Sequence, residues 1–150
     1  MKAQKRSRAK KFYTVDEANA TLPLLRSILR DITELARELR DRNERLSRVQ
    51  VPAGAVLGDA HREELQEMHA EQERGQERMR ELEQELKSLN VELKEYFTGL
   101  IDFPCWLDGR AVYLCWRLGE PEVGFWHDLD SGFAGRKELA KEMASGERGA

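Results

Sequence analysis

Apolar side chains recur at alternating intervals of three and four residues along two long stretches of the chain. The first seam contains Leu25, Ile28, Ile32, Leu35, Leu39, Arg42, Leu46 and Val49, of which Arg42 is the polar member. The second contains Leu65, Met68, Gln72, Gly75, Met79, Leu82, Leu86, Leu89, Leu93 and Tyr96. This heptad spacing is typical of helices that pack side by side. Between the seams, Pro52 and the glycines of residues 51–58 predict a loop.

Two seams joined by a short loop favour an antiparallel αα-hairpin over residues 22–98. A register centred on the loop places Arg42 against Gln72 and Leu39 against Gly75. A polar layer of this kind fixes the register of two helices; the alternative is that Arg42 only extends to water near the hairpin tip. Because two helices alone bury one stripe each, we expect a homo-oligomer, with a dimer favoured.

The start of the helical body is marked by a capping signal and a proline. Thr14 and Glu17 have the spacing of a capping box, which predicts a short capping helix over residues 12–21. Pro23 lacks an N–H group and clashes with the preceding turn, so we expect the long helix to restart near Thr21 or Leu22. Gly99 is expected to end the second helix.

Residues 99–136 differ from the helical body because they are rich in aromatic side chains, and they predict a β-meander followed by a glycine-rich loop. Three strands are expected, over 102–107, 111–117 and 123–127, and Asp108-Gly109 predicts the first turn. The whole pattern predicts an α+β fold, mainly α. A long, coiled-coil-like antiparallel αα-hairpin carries a small three-stranded antiparallel β-meander at its base, within one domain over residues 12–136.

Period-two alternation divides the strand residues into two faces. The face expected to pack on the helices collects Phe103, Cys105, Leu107, Val112, Leu114, Trp116, Val123, Phe125 and His127. The face expected to stay open collects Trp106, Tyr113, Cys115, Arg117, Trp126 and Asp128. Since the two cysteines lie on opposite faces, a disulfide between them is disfavoured, and free thiols suit a reducing cytoplasm.

Charge is distributed unevenly along the chain. Of the 25 basic side chains, six lie in residues 1–11, which predict a basic disordered tail, and the other 19 face 28 acidic ones. That excess of acid repels phosphate, so nucleic acid is disfavoured as a partner. Residues 137–150 predict a polar C-terminal tail. No apolar run approaches the roughly 20 residues that span a bilayer, so we expect no membrane association and a cytoplasmic location.

Several short motifs resemble an uncharacterised bacterial family, domain of unknown function 2203. They are Phe12-Tyr13-Thr14, Glu17-Ala18-Asn19, Leu22-Pro23, the run Gly99 to Pro104, the run Val112 to Glu120, Trp126-His127, and Gly132 to Arg136. The resemblance extends over about residues 12 to 138 and implies a fold and a candidate surface, but no reaction.

Polar residues within these motifs are the candidate site. Glu17, Asn19, Arg117 and Arg136 are candidate ligand-binding residues, since arginine forks grip carboxylate or phosphate. Asp102, Glu120 and His127 are candidate ligands for a divalent metal. The alternative is structural: salt bridges that join helix to sheet, with His127 as a hydrogen-bonded core residue. An aromatic patch formed by Trp106, Tyr113, Arg117, Trp126 and Asp128 is a candidate protein-interaction surface.

The sequence contains no recognisable catalytic motif, so we assign no catalytic residue and expect a non-enzymatic protein. The leading hypothesis is a self-associating helical-hairpin module that binds an unidentified protein partner through its aromatic and arginine β surface. The alternative is a protein that binds a small anion or a divalent metal at the hairpin base. Nucleic-acid association through the basic tail is the weakest hypothesis.

Overall fold

The computed structural model describes residues 11–49 and 58–139. The predicted basic tail (apart from Lys11), most of the predicted loop at 51–58 and residues 140–150 of the predicted polar tail lie outside the described residues. Within the described part, two long helices precede an antiparallel sheet, which confirms the mainly helical α+β fold. No helix in this part is both long and apolar enough to cross a membrane.

Helix α1 spans Val15–Arg48 and begins with the predicted capping box. The Thr14 hydroxyl accepts the Glu17 N–H at 3.0 Å, and the Glu17 carboxylate accepts the Thr14 N–H at 2.9 Å. The predicted break at Pro23 is wrong, because the helix runs through this exposed residue. Ala18 and Leu25, on either side of it, are buried in one core. Burial at about 1.5–3 kcal/mol for each large apolar side chain outweighs the roughly 3 kcal/mol that an interior proline costs.

Helix α2 spans Asp59–Ser88 and packs against α1 as the predicted hairpin. The predicted register is confirmed, since Arg42 Nη1 donates to Gln72 Oε1 at 3.0 Å and Gln72 Nε2 donates to the Leu39 carbonyl at 3.0 Å. Gly75 lies against Leu39 so closely that an added Cβ would be 2.7 Å from the Leu39 Cδ2. The absence of a side chain at residue 75 lets the helices approach here.

The second helix ends ten residues before the predicted end at residue 98. Asn90 has a positive φ of 58°, a conformation that asparagine tolerates better than most residues and that does not continue a helix. Strand β1, Glu92–Glu95, follows, and Leu93 pairs with Ile101 in the sheet. The apolar spacing at Leu89, Leu93 and Tyr96, which predicted helix, therefore continues past the end of α2 into β1 and the turn after it.

The sheet has five strands among the described residues, in the order β1 to β5, rather than the predicted three. Strands β2, Leu100–Leu107, and β3, Arg110–Arg117, form its centre, and both residues of the Asp108-Gly109 turn have positive φ as predicted. Strand β4, Phe125–His127, is followed by a 3₁₀ turn at Phe133–Gly135 and by β5, Lys137–Glu138. Residues 137 and 138 thus belong to the sheet and not to a tail.

One face of the sheet, here called the helix-side face, packs on the hairpin through buried residues such as Phe103, Leu114 and Trp116. The residues of strand β4 lie on the opposite faces from those predicted, since Leu114 pairs with Trp126 and Tyr113 pairs with His127. The prediction that His127 and Phe125 lie on the helix-side face is therefore wrong, and so is the placement of Trp126 on the other face. The turn between β3 and β4 resets the alternation, and a one-residue slip exchanges the faces.

The opposite face, here called the outer face, is not open at its centre as predicted. Its residues Asp102, Cys115 and His127 are all buried. The chain after β4 returns across this face, where the Arg136 guanidinium lies 3.8 Å from the Phe125 ring centre. At the end of β2, the Phe12 and Trp106 ring centres are 5.3 Å apart.

Candidate functional site

Glu17 and Asn19, two of the predicted ligand-binding residues, have structural partners. The Glu17 carboxylate belongs to the capping box at the start of α1. Asn19 Oδ1 accepts the Val123 N–H at 2.7 Å and so joins α1 to the chain entering β4. Glu17 thus caps the helix and Asn19 ties it to the sheet, so the two side chains have separate structural roles.

Arg136 and Glu120 form a half-buried pair on the outer face. The guanidinium donates to the carboxylate through two nitrogens, at 2.9 and 3.0 Å, and also to the Cys115 carbonyl at 3.3 Å. The same carboxylate accepts the Arg117 backbone N–H at 2.9 Å. The pair fastens the chain between β4 and β5 to β3. Glu120 is therefore paired with Arg136, apart from the other two predicted metal ligands.

Asp102 and His127, the remaining predicted metal ligands, do come together, and Cys115 joins them. Asp102 is the register partner of Cys115 on the neighbouring strand, and His127 lies on the next strand beside Tyr113. The three side chains are on the outer face of three adjacent strands, and each is no more than 3% exposed. Their potential ligand atoms all lie within 4.8 Å of one another. We call this set the Asp-Cys-His cluster.

Hydrogen bonds fix the orientation of the His127 ring. Nδ1 lies 2.8 Å from the Asp128 carbonyl oxygen, which can only accept, so Nδ1 carries a proton. Nε2 lies 3.1 Å from both oxygens of the Asp102 carboxyl group. A neutral ring in this orientation presents the Nε2 lone pair to the cluster, whereas a charged ring forms a buried ion pair with Asp102.

Burial dominates the electrostatics of the cluster. It raises the pKa of the Asp102 carboxyl group, against the lowering effect of His127. Burial, together with the negative charge of Asp102, raises the pKa of the Cys115 thiol to about 12. The thiol is therefore protonated at neutral pH.

The arrangement of these three side chains argues against nucleophilic catalysis by Cys115. A reactive cysteine needs a lowered pKa and access to substrate, and Cys115 has neither. In sites that combine a thiol, an imidazole and a carboxylate, the imidazole lies between the other two and takes the thiol proton. Here the imidazole is engaged at Nε2 by the Asp102 carboxyl group and at Nδ1 by the Asp128 carbonyl, so neither nitrogen is placed to take the thiol proton.

Glu92 and Tyr113 border the cluster. Glu92 on β1 is the register partner of Asp102, and its charge contributes to the raised pKa of that carboxyl group. The Tyr113 hydroxyl donates to Glu92 at 2.7 Å, and the Tyr113 ring centre is 5.6 Å from that of His127. Glu92 is thus held by Tyr113 and Lys94 at the border of the cluster.

The predicted aromatic surface is not continuous. Trp126 lies on the helix-side face, where Arg110 and Lys137 stack at 5.4 and 4.7 Å from its ring. Asp128 pairs with these same two cations, at 2.5 and 3.6 Å. Trp106, Tyr113 and Arg117, by contrast, belong to the outer face, where the Arg117 guanidinium stacks on Phe133 at 5.2 Å.

Cys115 is the site residue that the sequence prediction missed. Period-two alternation on β2 and β3 is enough to place Asp102 and Cys115 on one face, but the incorrect phase of β4 moved His127 to the other. If the alternation in β4 is shifted by one residue, the sequence pattern places Asp102, Cys115 and His127 on one face.

A model of a protein family described as an uncharacterised conserved protein, domain of unknown function 2203, matches residues 11–139. The chain belongs to this family. The matched region includes the helix cap, the whole described sheet and the Asp-Cys-His cluster. No curated protein and no solved structure shows significant similarity to the chain.

Proposed function

We propose that this member of the family binds a divalent transition-metal ion through Asp102, Cys115 and His127. The observation that carries the proposal is the convergence of a carboxylate oxygen, a thiol sulfur and an imidazole nitrogen, all buried and within 4.8 Å of one another. These are the three kinds of donor that zinc takes in proteins.

The donor types favour a particular class of ion. Sulfur and imidazole ligands suit zinc and its neighbours in the first transition series, while calcium and magnesium take oxygen ligands. Three protein ligands leave one tetrahedral position, which a water molecule would occupy. The bond from His127 Nδ1 to the Asp128 carbonyl supports the proposal, because metal-ligating histidines commonly donate their second nitrogen in this way.

An ion at this position would join strands β2, β3 and β4 on the outer face. Its binding free energy would then add to the stability of the sheet, since the ligands converge only in the folded chain. The competing arrangement is a metal-free, buried ion pair between His127 and Asp102.

Cobalt titration separates the two arrangements. Metal-free protein is titrated with Co²⁺, and a ligand-to-metal charge-transfer band reports a cobalt–thiolate bond. We expect one Co²⁺ per chain with this band, and zinc should displace it. A protein that shows no saturable binding, or binding without the thiolate band, would contradict the proposal, and this readout needs no variant.

The two cysteines provide a matched control. Both are buried and neither forms a disulfide, but Cys105 pairs with Val112 on the helix-side face. We expect Cys115→Ser to lose the thiolate band while Cys105→Ser keeps it, with far-UV circular dichroism used to confirm that both fold. Equal loss of the band in both variants would refute the assignment of Cys115.

We also propose a cytoplasmic location, as the sequence predicted. Two cysteines that form no disulfide suit a reducing compartment. Self-association, and protein interaction through Trp106, Tyr113, Arg117, Trp126 and Asp128, remain predictions from the sequence.

A further inference from the structure

We propose that a second site, independent of the metal site, binds the phosphoryl group of a small molecule. A groove of about 310 Å³ lies where α1 meets the sheet, and it is lined by Thr33, Arg37, Phe97, Thr98, Arg117 and Leu118. Its volume is at the lower end of the range for small-ligand sites. Arg37 from α1 and Arg117 from the end of β3 contribute to its lining.

The Arg117 guanidinium has no carboxylate partner among the ion pairs of the described residues. Glu120, the acid that follows it in the chain, accepts the Arg117 backbone N–H, but its two oxygens are occupied by Arg136. The Arg117 guanidinium stacks on the face of Phe133. Within the described residues, no carboxylate therefore occupies its N–H donors.

Arg37 on α1 also has no carboxylate partner among the described residues. One of its nitrogens donates to the Phe97 carbonyl at 3.2 Å, and the ion pairs of residues 11–49 and 58–139 do not include its guanidinium. Other surface arginines of the hairpin do have acidic partners, as Arg78 pairs with Glu81 and Arg80 with Glu77. Arg26, Arg30 and Arg45 also have no ion pair among the described residues, but of these five arginines Arg37 and Arg117 are the two that line the groove.

Glu95, the last residue of β1, precedes the groove residues Phe97 and Thr98, and its carboxylate is already engaged. It accepts N–H donors of Phe97 and Thr98 at 3.3 and 3.0 Å and the Thr98 hydroxyl at 3.0 Å. These bonds hold the carboxylate within the turn, so it does not pair with either arginine.

The backbone of the groove is fixed before any ligand binds. Gly99 has a φ of 70°, and its carbonyl accepts the Leu118 N–H at 3.0 Å, which ties the turn to the end of β3. A Cβ on Gly99 would lie 2.9 Å from the Leu118 Cβ, so glycine is required for this approach. Two guanidinium groups attached to this ordered backbone match the charge and the several acceptor oxygens of a phosphate dianion.

The proposal is tested by titrating isotope-labelled protein with inorganic phosphate, phenyl phosphate and acetate at low ionic strength, while NMR follows the Thr98 and Leu118 amides. We expect saturable shifts with both phosphates and weaker binding of acetate. Tighter binding of phenyl phosphate would identify an organic phosphate, and equal affinities would identify free phosphate. The substitutions Arg37→Gln and Arg117→Gln should each weaken binding by about tenfold, the loss of one charge-assisted contact of about 1.4 kcal/mol.

The variant Arg80→Gln is the matched control, because it removes one exposed arginine of α2 that does not line the groove. We expect it to bind phosphate as the unchanged protein does. Absence of saturable shifts with all three probes, or equal weakening in Arg80→Gln, would overturn the proposal. Binding of Co²⁺ at the Asp-Cys-His cluster is measured separately, so failure of one site does not affect the result for the other.

Discussion

The polar layer between the helices predicts a measurable loss of stability when Gln72 is replaced by alanine. Gln72 accepts a hydrogen bond from the Arg42 guanidinium and donates one to the Leu39 carbonyl, each at 3.0 Å. A hydrogen bond to a charged group is worth about 1.5–3 kcal/mol and a neutral one about 0.5–1.5 kcal/mol. Arg42 keeps a longer contact of 3.6 Å with Glu71, so part of its interaction survives.

We therefore expect Gln72→Ala to lower the free energy of unfolding by about 1–2 kcal/mol, after discounting for partial exposure. For a chain of this size the melting temperature should fall by about 2–8 °C. Urea denaturation followed by circular dichroism measures the change, provided that the slope with denaturant is unaltered.

Two controls test whether the loss of stability comes from the Arg42–Gln72 pair. Gln76, one turn further along α2, is exposed, so Gln76→Ala should change stability by less than about 0.5 kcal/mol. In a double-mutant cycle with Arg42→Ala, the two losses should not add, because each removes the same bond. A loss below about 0.5 kcal/mol for Gln72→Ala, or strictly additive losses, would refute this account of the register.

Three further predictions concern the sheet, the tyrosines and assembly. Replacing Glu120 by glutamine should cost about 1–3 kcal/mol by weakening its half-buried pair with Arg136; hydrogen exchange at β5 no faster than in the unchanged protein would contradict this. All three tyrosines, Tyr13, Tyr96 and Tyr113, have a raised pKa, and for the latter two it is about 12. The unfolded chain therefore loses these protons first, so stability should fall as the pH rises above 10 towards 12. Tyrosinate absorbance should also rise later in native than in urea-unfolded protein, and coincident titrations would count against it. Light scattering should give the mass of a dimer, and a monomer at all concentrations would exclude the predicted self-association.

The helical hairpin could be predicted closely because its register depends on repeating contacts. Arg42 and Gln72 are the polar members of two otherwise apolar seams, so any register that separates them leaves a polar group against apolar side chains. The end of α2 could not be predicted in the same way. Leu89 and Leu93 keep the helical interval, while the change to strand occurs at Asn90 through its positive φ.

The candidate site could be predicted only in part. Asp102 and His127 were recognised by their chemistry, but alternation is reliable only within one strand and does not continue through a turn. The error of one position in β4 separated His127 from Cys115. Glu120 and Arg136, although equally polar, form a pair with each other that sequence spacing does not reveal.

The X-ray absorption spectrum of the zinc-loaded protein tests the central claim most directly, because it reports the atoms bound to the metal. The Asp-Cys-His cluster predicts one sulfur at about 2.3 Å and nitrogen or oxygen ligands at about 2.0–2.2 Å for each zinc ion. A spectrum with no sulfur ligand, or a protein that retains no zinc after dialysis, would contradict the proposed metal site.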